Sequence, residues 1–205
     1  MKWQLNNIKF PIYNLGPGKR IGIWVQGCSL ACTGCINKTL WSEKGGDSLD
    51  VLEVYNNMAL MADDFDGITI SGGEPFEQYE QLIAFLHLIK LKTRLHIYCF
   101  TGYDLSELEE LYPDQLYMKY IDQIMTGRFE QDKWSEDNLR GSSNQKLYNF
   151  QNGRAELLLN PDTSNNWSIF IGDDQQIHMS AIPKNNELKQ IEADLKQHNI
   201  NKKFI

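Results

Sequence analysis

Three cysteines stand within eight residues in the stretch GCSLACTGCINK: Cys28, Cys32 and Cys35, spaced C-x3-C-x2-C. The fourth cysteine, Cys99, is far away in the chain. Thiolates at such spacing suit a soft metal centre. Structural zinc asks for a full set of protein ligands, commonly Cys or His, and the histidines (His87, His96, His178, His198) are all remote in sequence. A disulfide would leave two thiols over, and reducing compartments disfavour it. In an iron–sulfur cubane, three cysteines leave one iron open. An open iron can bind a ligand and do chemistry, whereas a pure electron carrier usually has every iron ligated by protein.

A second group of residues is SGGEP, Ser71 to Pro75. Gly72 and Gly73 let backbone approach a bound group without a Cβ in the way. Glu74 supplies charge or ties the loop, and Pro75 holds a turn ahead of a helix. FTGY contributes Thr101 and Tyr103 as pocket residues or as a capped strand end. Asp122 falls in an apolar segment, where a buried acid needs a partner; it either bonds a ligand or satisfies backbone donors. RGSSNQ, with Arg140 and Asn144, offers groups that can hold a carboxylate or a peptide backbone.

The intervening pattern shows what must position these groups. RIGIWVQG (Arg20 to Gly27) is an apolar run ended by glycine and reads as a buried strand. Asp50 to Met61 has helical spacing with Asp50 as N-cap. DGITISGG reads as a second strand and Tyr79 to Ile89 as a helix with one apolar face. RLHIYCF, SELEELY and MKYIDQIMTG read as strand, helix and strand. Such alternation predicts a parallel sheet with right-handed crossovers. The cysteine loop, SGGEP and FTGY then all sit at C-terminal strand ends, where such folds carry their chemistry. Cys99 lies within a strand and is expected in the core. The final quarter reads as a hairpin, WSIFIGDDQQIHMS, turning at Gly172 to Asp174, then a helix over Glu187 to His198.

Composition sets the bounds. The chain has 205 residues, 41% hydrophobic and 11% aromatic, with a net charge of −7. That size suits one domain with an appendage. The acidic balance argues against nucleic-acid binding, which wants a basic face. No apolar run reaches the ~20 residues of a membrane helix. The opening MKWQLNNIKFPIYNLG has no apolar signal core, so a cytoplasmic location is expected.

The pairing of C-x3-C-x2-C with SGGEP about forty residues on resembles the radical SAM signature. GPGKRIGIWVQGC, CTGCINKTLW, FTGYDLSEL, IDQIMTGRFEQD and RGSSNQ follow in the order seen in the glycyl-radical-enzyme activases that serve anaerobic (class III) ribonucleotide reductase. This similarity covers roughly residues 13 to 150. It implies that Cys28, Cys32 and Cys35 ligate a [4Fe-4S] cluster whose open iron takes the amino and carboxylate groups of S-adenosylmethionine. One electron from the cluster then breaks a carbon–sulfur bond, leaving methionine and a 5′-deoxyadenosyl radical. That radical removes a hydrogen from a glycine Cα of the partner. The resemblance further implies a low-potential donor such as flavodoxin. It assigns to the cofactor Gly34, Ile36, Gly72, Gly73, Glu74 and Pro75, with Thr101, Asp122, Arg140 and Asn144 as further candidates. Relatives usually carry Tyr where this chain has Ile36, so apolar contact with adenine survives and stacking does not. Trp41 is a candidate to compensate.

The expected fold is an α/β partial, open (βα) barrel of the radical SAM type, with residues 1–150 as the core and 151–205 as an extension packed on the same domain. Two other functions fit the residues. One is a radical SAM enzyme acting on a different peptide or small molecule. The other is a non-enzymatic iron–sulfur module for electron transfer or redox sensing.

Overall fold

The computed structural model describes residues 1–135, 139–159, 167–171, 177–182, 185–198 and 202–204. Its main body is an eight-stranded mixed sheet with no closed barrel. In chain order the strands are β1 (Lys2–Ile12), β2 (Arg20–Val25), β3 (Asp47–Asp50), β4 (Gly67–Gly72), β5 (His96–Phe100), β6 (Gln123–Thr126), β7 (Lys146–Gln151) and β8 (Arg154–Leu158). In space they run β3-β1-β2-β4-β5-β6-β7-β8. The central four, β2, β4, β5 and β6, are parallel. Antiparallel pairs flank them on both sides.

The four strands expected from the sequence form that parallel centre. All six residues of β2 are buried, as a strand covered on both faces requires. Side chains alternate between those faces. Ile23, Val25, Ile70, Ile97, Cys99 and Ile124 point into the larger core. There they meet helices α1 (Val51–Ala59) and α2 (Tyr79–Lys92) through Val54, Met58, Leu82, Phe85 and Leu86. Each such aliphatic or aromatic side chain, fully buried, stabilises the fold by about 1.5–3 kcal/mol. The intervening residues Trp24, Tyr98 and Met125 face the other way and build two smaller clusters. Cys99 is 0% exposed, and its thiol donates to the Phe100 carbonyl at 3.6 Å.

α1 begins as expected, with the Asp50 carboxylate accepting from the Leu52 N–H at 3.0 Å. α3 (Leu105–Leu111) stops before Pro113 and carries a capping box between Asp104 and Glu107. The expected fourth strand is shorter than its apolar run. Tyr117–Tyr120 instead forms a single helical turn, α4, and only Gln123–Thr126 is strand. A short apolar run fits either period. The buried faces of Tyr117, Met118 and Tyr120 close the core above α2 in helical form.

Residue 150 lies inside β7, so the main sheet continues through the β7–β8 hairpin beyond it. A second, three-stranded sheet follows: β9 (Trp167–Ile171), β10 (Ile177–Ala181) and β11 (Lys202–Phe204), ordered β11-β10-β9. β9 and β10 pair antiparallel, as the hairpin pattern predicts; the expected turn at Gly172 to Asp174 lies outside the described residues. α5 (Asn185–Gln197) matches the expected terminal helix. No helix among the described residues is long and apolar enough to cross a membrane.

Candidate functional site

The parallel register aligns the C-terminal strand ends. Val25 pairs with Gly72, Ile70 with Cys99, and Phe100 with Met125. The loops that leave these strands therefore share one rim. Beneath it lies a cavity of about 230 Å³. Cys28, Cys32 and Cys35 line it, together with Gly34, Ile36, Gly72, Gly73, Glu74 and Thr101.

The cysteine loop is pinned by backbone at its entry. Gly27 N–H donates to the Leu40 carbonyl at 2.9 Å and Cys28 N–H to Trp41 at 3.1 Å. A tight turn closes it, with Cys35 N–H on the Cys32 carbonyl at 3.1 Å. The Ser29 N–H and hydroxyl both donate to Glu77, at 2.9 and 2.6 Å. The three thiols are half-buried. Burial pushes the Cys28 thiol up to about 11 and raises Cys32 as well, so a cationic centre is what would hold these ligands as thiolates. Among the described residues no three His, Cys, Asp or Glu side chains converge to hold a single metal ion. Three half-buried thiols on one loop, lining one cavity, suit a cubane, which spreads its thiolates over separate irons. The donor set fits a [4Fe-4S] cluster, which Cys28, Cys32 and Cys35 would hold.

The SGGEP backbone lies directly against that loop. Gly73 N–H donates to the Val25 carbonyl and Glu74 N–H to the Gly27 carbonyl, both at 2.8 Å. Gly72 has φ +106°, and a Cβ on Gly73 would overlap the Gly27 carbonyl. Glycine is required here because two loop backbones touch. Glu74 is 1% exposed and ties this loop to the next strand end. Its Oε1 accepts from Phe76 N–H at 3.0 Å and from the Thr101 hydroxyl at 2.8 Å. Its Oε2 accepts from Gly102 N–H at 2.7 Å. Burial raises its carboxyl to about 7 against the pull of these donors.

Residues 14–148 match the family described as "4Fe-4S single cluster domain". The anaerobic ribonucleoside-triphosphate reductase-activating protein of Haemophilus influenzae is 32% identical over 143 residues, 66% of this chain and 91% of the relative. The phage T4 protein of the same name is 28% identical over 142 residues, 67% and 88% respectively. The pyruvate formate-lyase-activating enzyme of Clostridium pasteurianum is 37% identical over 101 residues, covering 47% of this chain and 42% of the relative. This chain belongs to the radical SAM glycyl-radical-enzyme activases.

Not every expected site residue of the activase reaches the cavity. Pro75 is buried at the start of a 3-10 turn, Pro75–Gln78, beneath the loop. Asp122 sits in the bend before β6, at the end of the sheet remote from the cysteines. There it pairs with Lys90 at 2.5 Å and accepts the Ile97 N–H at 2.6 Å. The structure thus corrects the strand placement of Asp122 and gives its acid the backbone and lysine partners that a half-buried carboxylate needs. Arg140 donates to the Leu159 carbonyl at 3.2 Å, and Asn144 donates to Arg128 at 2.8 Å. It is their neighbours Gly141 and Gln145 that line the cavity. The Gln145 side chain accepts from Gly141 and Ser142 N–H and donates to the Gly127 carbonyl. RGSSNQ is therefore a self-braced loop tied to the end of β6. Trp41 is not among the cavity-lining residues; the Lys38 ammonium lies 5.9 Å from its ring centre.

Leu15, Trp24, Phe100, Leu139, Ala181 and Ile182 also line the cavity and were missed. For Trp24 and Phe100 a signal existed. Each alternates with a core-facing neighbour and so must face the opposite side of the sheet. Nothing local marks Ala181 or Ile182.

Proposed function

We propose that this activase generates a glycyl radical on an anaerobic ribonucleoside-triphosphate reductase. The observation that carries this reading is the meeting of Cys28, Cys32 and Cys35 with the Gly72–Gly73 backbone on one cavity whose remaining wall is largely apolar. The relatives named as activating proteins of that reductase support the choice of partner. When bound, the [4Fe-4S] cluster and S-adenosylmethionine would supply the one-electron chemistry that removes a hydrogen atom from the partner's glycine. Cys28, Cys32 and Cys35 hold the cluster. Gly72 and Gly73 would present bare backbone to the methionine end of the cofactor, and Gly34 and Ile36 would border its adenine. Glu74 and Thr101 keep two rim loops at a constant separation. Trp24, Leu15 and Phe100 exclude water that would quench the chemistry.

The sheet is read as a partial radical SAM barrel, open on the side where a protein loop must enter. Residues 151–205 are read as an extension of the same domain. A low-potential donor such as flavodoxin supplies the electron, and the cytoplasm is the compartment that keeps the thiols reduced.

The test is anaerobic iron–sulfur reconstitution, then dithionite and S-adenosylmethionine, with and without the reductase of the source organism. Release of 5′-deoxyadenosine with a glycyl radical signal on the reductase is expected. Cleavage without that signal indicates a different peptide or small-molecule substrate. A loaded cluster with neither binding nor cleavage of S-adenosylmethionine indicates an electron-transfer or redox-sensing module.

A further inference from the structure

Residues 149–205 lie outside the stretch that matches the family, yet they reach the site. Ala181, the last residue of β10, and the next residue, Ile182, line the cavity. Ile182 packs against both apolar clusters on this face of the sheet, one containing Leu15 and Trp24 and the other Tyr98 and Met125. Phe100 borders both clusters as well.

The extension is latched in place by a buried asparagine. Asn14 is 1% exposed. Its Nδ2 donates to the Ser180 carbonyl at 2.8 Å, and its Oδ1 accepts from the Ser168 hydroxyl at 2.6 Å. The same Ser168 oxygen accepts the Tyr13 N–H at 3.2 Å. The loop that carries Asn14 is itself braced on the sheet. The Thr69 hydroxyl donates to the Leu15 carbonyl at 2.6 Å, and Arg20 donates to the Pro17 carbonyl at 2.8 Å. Hydrogen bonds thus run unbroken from β4 and β2 to the strand that ends at Ala181.

The two sides of the cavity differ in chemistry. One side has the thiols and the bare Gly72–Gly73 backbone, which suit the cluster and the polar end of the cofactor. The other has Leu15, Trp24, Phe100 and Ile182, which belong to the two apolar clusters, and Ala181 beside them.

We propose that Ala181 and Ile182 form the substrate-facing wall of the active site, contacting the glycine-bearing loop of the partner enzyme, and that Asn14, through Ser168 and Ser180, is the positioning residue for that wall. This rests on the reading that the substrate is a glycyl radical enzyme. The compact core then supplies cluster and cofactor, and the extension supplies contact with the inserted loop.

The test uses full-length, cluster-loaded protein with Ile182→Glu, Ile182→Ala or Asn14→Ala. Three quantities are measured: the Kd for S-adenosylmethionine by calorimetry, the KM for the anaerobic reductase in glycyl radical formation by electron paramagnetic resonance, and the unfolding temperature. Ile182→Glu is expected to raise the KM for the reductase about tenfold or more, with the cofactor Kd within about twofold of wild type. Ile182→Ala, which keeps the wall apolar, and Asn14→Ala are expected to shift KM in the same direction by about threefold. A parallel rise in cofactor Kd in Ile182→Glu overturns the proposal and makes Ile182 a cofactor contact. A lowered unfolding temperature with unchanged KM in all three variants overturns it in favour of packing alone. Wild-type protein that cleaves S-adenosylmethionine yet leaves no radical on the reductase refutes the proposed function and this proposal with it. That outcome is distinct from a defect confined to the variants.

Discussion

Replacing Glu74 by glutamine removes a carboxylate that is 1% exposed and joins two rim loops. Burial raises this group from 4.5 to about 7. The folded chain therefore holds the Glu74 proton up to about pH 7, while the unfolded chain releases it near 4.5. In that window the folded state binds more protons, so stability falls as pH rises, and it levels off above pH 7. The whole difference is about 3 kcal/mol, of which about 2 kcal/mol is lost between pH 5.5 and 8. With a urea m-value of about 2 kcal/mol/M, the unfolding midpoint of the apoprotein drops by about 1 M across that range from this group alone. His96 acts in the opposite sense. Burial and the Arg20 charge hold it down to about 4 from 6.5, so it adds stability as pH rises through that window. It is common to both proteins and cancels in their comparison. Glu74→Gln abolishes the glutamate component. It also turns an amide N–H₂ toward Gly102 N–H or strands the Phe76 and Thr101 donors, at about 1–3 kcal/mol. The variant is therefore expected to be clearly weaker than wild type at pH 5.5, with the gap closing by about 2 kcal/mol at pH 8. Urea titrations of the two apoproteins at both pH values measure this. Parallel pH dependences would refute the reasoning, because Glu74 would then titrate alike in the folded and unfolded chains.

Alanine at Cys28, Cys32 or Cys35 is expected to abolish iron loading after anaerobic reconstitution, judged by iron content and visible absorbance. Cys99→Ala is expected to load normally and to cost about 1 kcal/mol for the small void it leaves. Gly73→Ala pushes a Cβ into the Gly27 carbonyl and is expected to cost about 1–3 kcal/mol. It should weaken S-adenosylmethionine binding more than it lowers iron content, which calorimetry on the loaded protein compares. Arg20 is 0% exposed and donates to the Thr69 hydroxyl and the Pro17, Ile68 and His96 carbonyls. Arg20→Met strands those acceptors and is expected to destabilise the chain by about 3–5 kcal/mol in denaturant unfolding.

The chemistry of the site was legible early because its ligands are local. Cys28, Cys32 and Cys35 share one loop, and Gly72 to Pro75 share another, so their spacing points to a soft metal centre and the resemblance to a known family supplies the rest. The parallel strands were legible for a related reason. A strand buried on both faces, such as RIGIWV, needs a nearly continuous apolar run, and the glycines at its end mark the loop that follows. The edge strands were not. β1, β3, β7 and β8 carry mixed polar sequences such as DSLD and RAELL, and they are strands because a neighbour offers hydrogen-bonding partners.

Asp122 shows the same limit at one residue. Its apolar flanks read equally as strand or helix, and only the core above α2 decided that Tyr117–Tyr120 turn. The wall formed by Ala181 and Ile182 shows it at the site. The sequence by itself determined the cluster of three cysteines on one loop, the glycine-rich segment that follows and the parallel order of the strands that present them, because these depend on residues close together in the chain. Only the tertiary structure decided which face of the sheet holds the cavity, that Glu74 joins two loops, and that a segment more than 150 residues beyond Asn14 returns to it. Those outcomes depend on register and on contacts between distant residues, which local spacing does not encode.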